Sequence, residues 1–342
     1  MRACLTAVGS LVVVLSLTAL SASADTPYEV QARYSVSGDG SFDYLTLDSS
    51  TRRLYVSHAT QVDVLDADSG KVVGSIPDTP GVHGIAIASS FKHGFTSNGA
   101  EDKVSMFDSE TLKVIMKIEV GKGPDGIYYD PGTKRVFTNN HGSHDISAID
   151  ASTGKVIGTV EIGGDGEQAV VGADGFVYVS SENTDEIVVF DPKTLQVKKR
   201  LPVVEAKGPA GLAYDSITNR LFIALHHDPK MVVMDAGSGK TVSSFPIGNG
   251  ADFAGFDPES RLIFFSCSEG TLNIFHQRSA DEYENAGTVK TQPSAKTMAF
   301  DPKTKNIFLS AAEIEVIPPT DPSQRPVRKI KPGSFVVLVV GK

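Results

Sequence analysis

The chain has 342 residues, 40% apolar and 21% charged, with 32 Gly, 18 Pro and no Trp. A formal charge of −9 argues against wholesale binding to phosphate backbones, and the lack of Trp excludes any stacking or chemistry built on indole. Two Cys exclude a disulfide framework, a paired-cysteine zinc site and a haem attachment motif, while abundant Gly without long charged runs points to a turn-rich β protein.

The first segment reads as an address label. Arg2 precedes an apolar run from Leu5 to Leu20, and Ala22-Ser23-Ala24 supplies a small-x-small cleavage pattern before Asp25. Residues 1–24 are therefore expected to be a cleaved secretory signal, which places the mature chain in the periplasm or outside the cell. The run is short for a membrane span and no second candidate follows, so the mature chain is expected to carry none. Cys4 leaves with the signal, and Cys267 remains as one small buried thiol.

From there the chain is periodic. Tyr55, Phe95, Phe137, Tyr178, Phe222, Phe264 and Phe308 recur every 40–44 residues, each in a short apolar strand. A second ladder, Asp66, Asp108, Asp150, Asp191 and Asp235, ends the following strand with spacings of 41–44 residues. Each unit reads as four short strands joined by Asp- and Thr-rich turns, whose side chains accept backbone N–H groups two or three residues on. Seven such units predict an all-β, seven-bladed propeller of four-stranded antiparallel blades, forming one domain over residues 25–342. Gly333 to Val340 supplies a strand with no successor, and Val30 to Val36 is a strand with no blade of its own. These two are expected to close the ring within the seventh blade. Blade 6 departs most from the pattern, with His276 in the Asp position and a long stretch from Gln277 to Ser294, which puts its outer edge in question.

Gly123-Pro124-Asp125-Gly126-Ile127, Lys134 to Asn139 and Ile146 to Asp150 follow a Pro-x-Gly-Ile, Tyr-Val-Thr-Asn, Val-x-Val-Ile-Asp pattern. In this the chain resembles the YncE-like, YVTN-repeat β-propellers, a family of exported bacterial proteins. The resemblance covers nearly the whole mature chain and implies a propeller. It leaves function open, because related rings serve as lactonases, dehydrogenase subunits and binding scaffolds.

Stacking the repeats in register gives the candidate site. The residue entering each inner strand is Asp43, His83, Asp125, Glu167, Ala210, Asp252 or Lys296, and five of these seven are acidic or His. His58 stands just after the aromatic strand of its repeat, and His141 and His226 stand one step further in theirs, with His144 and His227 beside them. A ring points equivalent positions at one axis. His58, His83, His141 and His226 are therefore expected to converge at the channel mouth and, with carboxylates, to suit a divalent metal ion or a cationic ligand. Residues 312–334 replace the short loop of the last blade and are rich in Pro and basic side chains, including Arg325, Arg328, Lys329 and Lys331. They suit a lid over the same face, or a surface strap.

No nucleophile elbow, phosphate loop or HExxH motif is present. The leading expectation is thus an exported binding or interaction protein, with a small molecule or a periplasmic protein as partner at the channel face. A metal-assisted hydrolase or lactonase is the alternative. Single-stranded DNA binding, suggested by the family resemblance alone, is disfavoured by the net charge.

Overall fold

In the repeated aromatic strand, residues on both faces are apolar or small, so the strand can be buried on both sides and acts as the spine of its blade. In the computed structural model, which describes residues 27–204, 206–317, 319 and 327–342, all seven ladder aromatics are at most 2% exposed. The expected signal, residues 1–24, and Cys4 lie outside the described residues.

The blades follow one another along the chain. Blade 1 comprises Leu45–Asp48, Arg53–His58, Gln61–Asp66 and Val72–Ile76, and blade 3 comprises Pro124–Asp130, Arg135–Asn140, Asp145–Asp150 and Val156–Glu161. Each blade is a four-stranded antiparallel sheet. Blade 7 is composite. Met298–Phe300 is innermost, followed by Ile307–Ala311 and Val336–Gly341, and the N-terminal Glu29–Ser35 forms its outer strand. Val30 lies opposite Val340, and Tyr34 opposite Val337, so the two ends of the chain close the ring as expected. Blade 6 is complete as well. Its outer strand Tyr283–Lys290 pairs with Thr271–Gln277, and the extra residues form the turn between them.

The core is divided by the ring. Each of seven apolar clusters lies between two consecutive blades, and the seam between blades 7 and 1 is filled like the others, by Leu54, Val56, Phe308, Phe335 and Val337 among others. Burial of this kind stabilises by about 25 cal/mol per Å² of apolar surface, so a sealed seam counts as much as any other. Cys267 is buried in the cluster between blades 5 and 6.

The turn aspartates are structural. Asp66 Oδ1 accepts the Ser69 N–H at 2.8 Å and the Ser69 hydroxyl at 2.6 Å, and Asp150 Oδ1 holds Ser152 and Thr153 in the same way. These bonds hold both carboxyls below the usual carboxylate range. Glycines of the Pro-x-Gly-Ile motif have a packing reason. A Cβ on Gly126 would sit 2.7 Å from the Glu167 carbonyl oxygen, and one on Gly211 would sit 2.6 Å from the Phe253 backbone. Neighbouring inner strands approach each other too closely there for any side chain. Among the described residues, no helix is long and apolar enough to cross a membrane.

Candidate functional site

The residues entering the inner strands, together with His141 and His226 from the loops after the second strands, form a chain of paired charges that runs from blade to blade. His226 Nδ1 lies 3.1 Å from Asp252 Oδ1, and Lys296 Nζ lies 2.8 Å from Asp252 Oδ2 and 3.4 Å from Asp43 Oδ1. His83 Nδ1 sits 2.8 Å from Asp43 Oδ2 and 3.4 Å from Asp125 Oδ2. His141 continues the sequence, with Nδ1 3.8 Å from Asp125 Oδ2 and Nε2 3.4 Å from Glu167 Oε1. All of these side chains are half-buried.

A repeated contact fixes their backbones. One position before the end of the second strand, a small polar side chain donates to the carbonyl oxygen of the ring residue in the next blade. Asn139 Nδ2 reaches the Glu167 oxygen at 2.6 Å, Ser266 Oγ the Lys296 oxygen at 2.6 Å, and Ser310 Oγ the Asp43 oxygen at 2.9 Å. Ser97 makes the same bond to Asp125, and Ser180 to Ala210. Each ring residue held this way is positioned by the blade before it.

The next residue along the inner strands builds a second layer. Tyr44 Oη is 3.4 Å from Glu167 Oε2, and its ring meets Phe253 edge-on at 6.1 Å. Gln168 Oε1 accepts the Leu212 and Ala254 N–H groups at 2.8 and 3.0 Å, while its Nε2 donates to the Ala254 carbonyl at 3.0 Å. Tyr44, Phe253 and Gln168 line a cavity of about 160 Å³ that Glu167 also borders.

Electrostatics differ around the ring. Burial pushes the Glu167 carboxyl well above its ordinary value, and Asp125 and Asp252 add to the effect by repulsion. Burial also raises Asp125, with Asp43 adding to it against the pull of His83 and His141. Asp252 behaves in the opposite way. Burial works against its ionisation, but Lys296 and His226 outweigh it and hold the carboxyl low. Lys296 stays charged, because Asp43 and Asp252 overcome its desolvation. Burial likewise disfavours the charged form of His83, yet Asp43 and Asp125 raise it, and His226 is raised chiefly by its hydrogen bond to Asp252. The lysine thus pairs with Asp252 and Asp43, while Asp125 and Glu167 face His83, His141 and the Tyr44 hydroxyl.

The expected histidines do not all meet. His83 and His141 share Asp125, whereas His226 stands with His227 and Glu182, whose carboxylate lies 3.1 Å from His227 Nε2. Among the described residues, three groups bring three donor atoms within 4.8 Å of one another: Asp43–His83–Asp125, Asp125–His141–Glu167 and Glu182–His226–His227. His58 belongs to none of them. It is 3% exposed, its Nδ1 pairs with Asp63 Oδ2 at 2.7 Å, and its ring packs 5.0 Å from Phe335. Register placed it at a strand end, but Asp63 on the adjacent strand holds it inside blade 1. Sequence reading passed over Tyr44, Gln168, Glu182 and the Ser/Asn series, although the series recurs at one position per repeat.

The segment between the second and third strands of blade 7 holds a short hairpin, Ile314–Ile317 paired with Val327–Ile330. Ile314 and Ile330 line a cavity of about 340 Å³ together with His226, Lys296 and Phe42. The hairpin thus presents apolar side chains towards that cavity. Lys331, expected to offer positive charge, is paired with Glu313 at 2.8 Å. Arg325 lies outside the described residues.

Comparison with known proteins follows this architecture. A chain of the mitotic checkpoint complex superposes with a TM-score of 0.73 at 15% identity, over 89% of this chain and 96% of that one. A chain of the Kuenenia stuttgartiensis hydrazine synthase superposes at 0.70, with 15% identity over 80% and 94% of the two chains. At such identities the likeness is one of fold alone. No curated protein matches the sequence. A family model described as YNCE-like beta-propeller matches residues 76–311, most of the repeats that build the ring, and the chain belongs to that family.

Proposed function

We propose that the protein is an exported binding propeller whose ligand seat is the ring of charged side chains entering the inner strands, and that it takes a small cationic ligand. One observation carries the reading. Two half-buried carboxylates, Asp125 and Glu167, lie together facing the His141 imidazole, while the lysine of the ring pairs with Asp252 and Asp43. Acids held in this way gain from a cation that replaces lost hydration. The same carboxylates would repel phosphate, which speaks against oligonucleotides as the ligand. In this reading the Ile314–Ile330 hairpin covers the seat, and residues 1–24 direct export.

The test is calorimetric titration of the mature chain with divalent metal chlorides and with putrescine at low ionic strength, alongside the double variant Asp125→Asn, Glu167→Gln. Binding that the double variant loses supports the seat. If neither class of cation binds, or the variant binds equally well, the reading falls. An N-terminus at Asp25 in protein recovered from the cell envelope would support export, and an intact Met1 would overturn it.

A second reading is favoured by the ligand count. The groups Asp43–His83–Asp125 and Asp125–His141–Glu167 offer three donors each. Three donors leave an ion with a coordination position for water, as metal-assisted hydrolysis requires. Metal-dependent cleavage of a lactone, abolished in Asp125→Asn, would establish it, and absence of turnover with every metal that binds would remove it.

A further inference from the structure

We infer that the ring binds two divalent transition-metal ions side by side, bridged by the Asp125 carboxylate, with Asp43 and His83 completing one set of ligands and His141 and Glu167 the other. This rests on the reading of the ring as a cation seat and makes it specific.

Distance is the first argument. Donor atoms on a tetrahedral ion with bonds of about 2.0–2.2 Å lie roughly 3.4 Å apart. His83 Nδ1 to Asp125 Oδ2 is 3.4 Å and His141 Nδ1 to Asp125 Oδ2 is 3.8 Å. The pair His83 and Asp43 is closer, at 2.8 Å, as a hydrogen bond that an ion would replace. Two complete three-donor groups exist, and Asp125 is the member they share.

The second argument concerns Asp125 itself. Its Oδ2 faces both imidazoles, while its Oδ1 is buried with no hydrogen-bond partner. Leaving a buried carboxylate oxygen unpaired is costly, and a turn of the carboxylate about its Cβ–Cγ bond would give one oxygen to each ion. Ions joined in that way sit about 3.5–4 Å apart.

Third, the surroundings fit ligation. His141 Nε2 lies 2.9 Å from the Gly166 carbonyl oxygen, the kind of outer partner that fixes the tautomer of a ligating imidazole and leaves Nδ1 towards Asp125. The Asp125 and Glu167 backbones are held by Ser97 and Asn139 of the preceding blades, so the donors stand on rigid elements. Mixed imidazole and carboxylate donors select first-row transition ions over Ca²⁺ or Mg²⁺, which prefer oxygen alone.

The experiment strips the mature chain with dipicolinate, dialyses it, and titrates it with ZnCl₂ and MnCl₂, with CaCl₂ and MgCl₂ as controls. Bound metal is counted by mass spectrometry of the dialysed protein. About two Zn²⁺ per chain are expected, with His83→Ala and His141→Ala each lowering the count to about one. Asp125→Asn keeps the shape of the side chain and is expected to weaken both ions at least tenfold. His276→Ala, in blade 6, should leave the count unchanged. Manganese-loaded protein is expected to give an exchange-coupled paramagnetic resonance spectrum, which isolated ions do not show. A single ion, or two ions that survive Asp125→Asn, would overturn the bridged centre. Putrescine binding without metal binding would overturn it too while leaving the cation seat intact, and no binding of either would end both readings.

Discussion

Arg52 Nη1 lies 2.7 Å from Asp301 Oδ2, a close ion pair across the seam between the first and last blades. The Asp301 side chain is fully buried and the Arg52 side chain is 13% exposed, so water contributes little to either charge. Lys305 makes a comparable clasp from blade 7 back to Asp257 of blade 6, at 3.1 Å. Both cations leave a turn residue of left-handed backbone, with φ of 58° at Arg52 and 63° at Lys305, so the same turn geometry aims both of them at the preceding blade. Ring closure therefore has an electrostatic part besides the apolar seam and the shared sheet.

Replacing the guanidinium by an apolar chain of similar length, Arg52→Met, should destabilise by about 3 kcal/mol at pH 7, because it strands a buried carboxylate. The effect should depend on pH with a definite sign. Burial works against the Asp301 charge, but Thr304, the Lys303 N–H and Arg52 together hold its carboxyl below 3.8. The stability it contributes is present above the unfolded value and is lost as pH falls through the folded one. Urea midpoints of wild type and variant should thus differ strongly at pH 7 and converge only as pH falls below the ordinary carboxylate value. An equal gap at pH 7 and pH 3 would show that lost packing, and not charge, sets the cost.

The outer strand of blade 7 comes from the opposite end of the chain, with Arg33 opposite Leu338 and Ser35 opposite Val336. Deleting residues 25–37 should leave Val336–Gly341 as a bare edge, a row of unpaired N–H and C=O groups flanked by buried valines. The expected outcome is a lower melting temperature and concentration-dependent aggregation, followed by light scattering during a thermal ramp. A truncated chain as soluble and heat-stable as one that keeps residues 25–37 would show that closure does not depend on this strand.

The fold was legible because its cause repeats. One aromatic per blade, from Tyr55 to Phe308, and the turn Asp of blades 1 to 5 are set by local strand and turn chemistry, and the repeated copies average out the exceptions. The pairing of Val30 to Val36 with the C-terminal strand followed from counting strands. Positions in the ring were legible for the same reason, since register fixes which residue enters each inner strand. Side-chain partners were not. His58 turns to Asp63 and His226 stands with His227 and Glu182, because rotamers and neighbouring strands decide direction within a blade. The hairpin within blade 7 was also hidden, since the Pro-rich sequence that follows masks the short alternation of Ile314 to Ile317.

Ser266 Oγ donates to the Lys296 carbonyl at 2.6 Å, one of the bonds that position the ring. Ser266→Ala should destabilise by roughly 1–2 kcal/mol, the cost of leaving that carbonyl without its partner. Lys296 should then lose part of its fixed geometry towards Asp252. The ring tolerates one such absence, because blade 5 carries Ala224 at the equivalent position. Chemical denaturation of the variant, with Ser266→Thr retaining the hydroxyl, checks the prediction. Equal losses in both variants would assign the effect to packing.

His58 differs from His83, His141 and His226 in being held inside blade 1. Its Nδ1 holds Asp63 Oδ2 at 2.7 Å, while Gln61 Nε2 takes the second oxygen of that carboxylate at 2.7 Å. Backbone crowds its other edge, since a Cβ on Gly38 would come within 2.8 Å of His58 Cε1. At φ of 116° Gly38 also occupies a conformation that side chains avoid, so the loop is shaped to admit the imidazole. Removing the ring in His58→Ala leaves a cavity beside Phe335 and deprives Asp63 of one partner. The expected cost is roughly 3 kcal/mol. His58→Gln, which keeps a donor within reach of Asp63, should recover part of it. Zinc titration of the folded fraction should give the same stoichiometry as wild type in both variants. A variant that keeps its unfolding midpoint but loses metal would place His58 in the ligand set and refute its structural role.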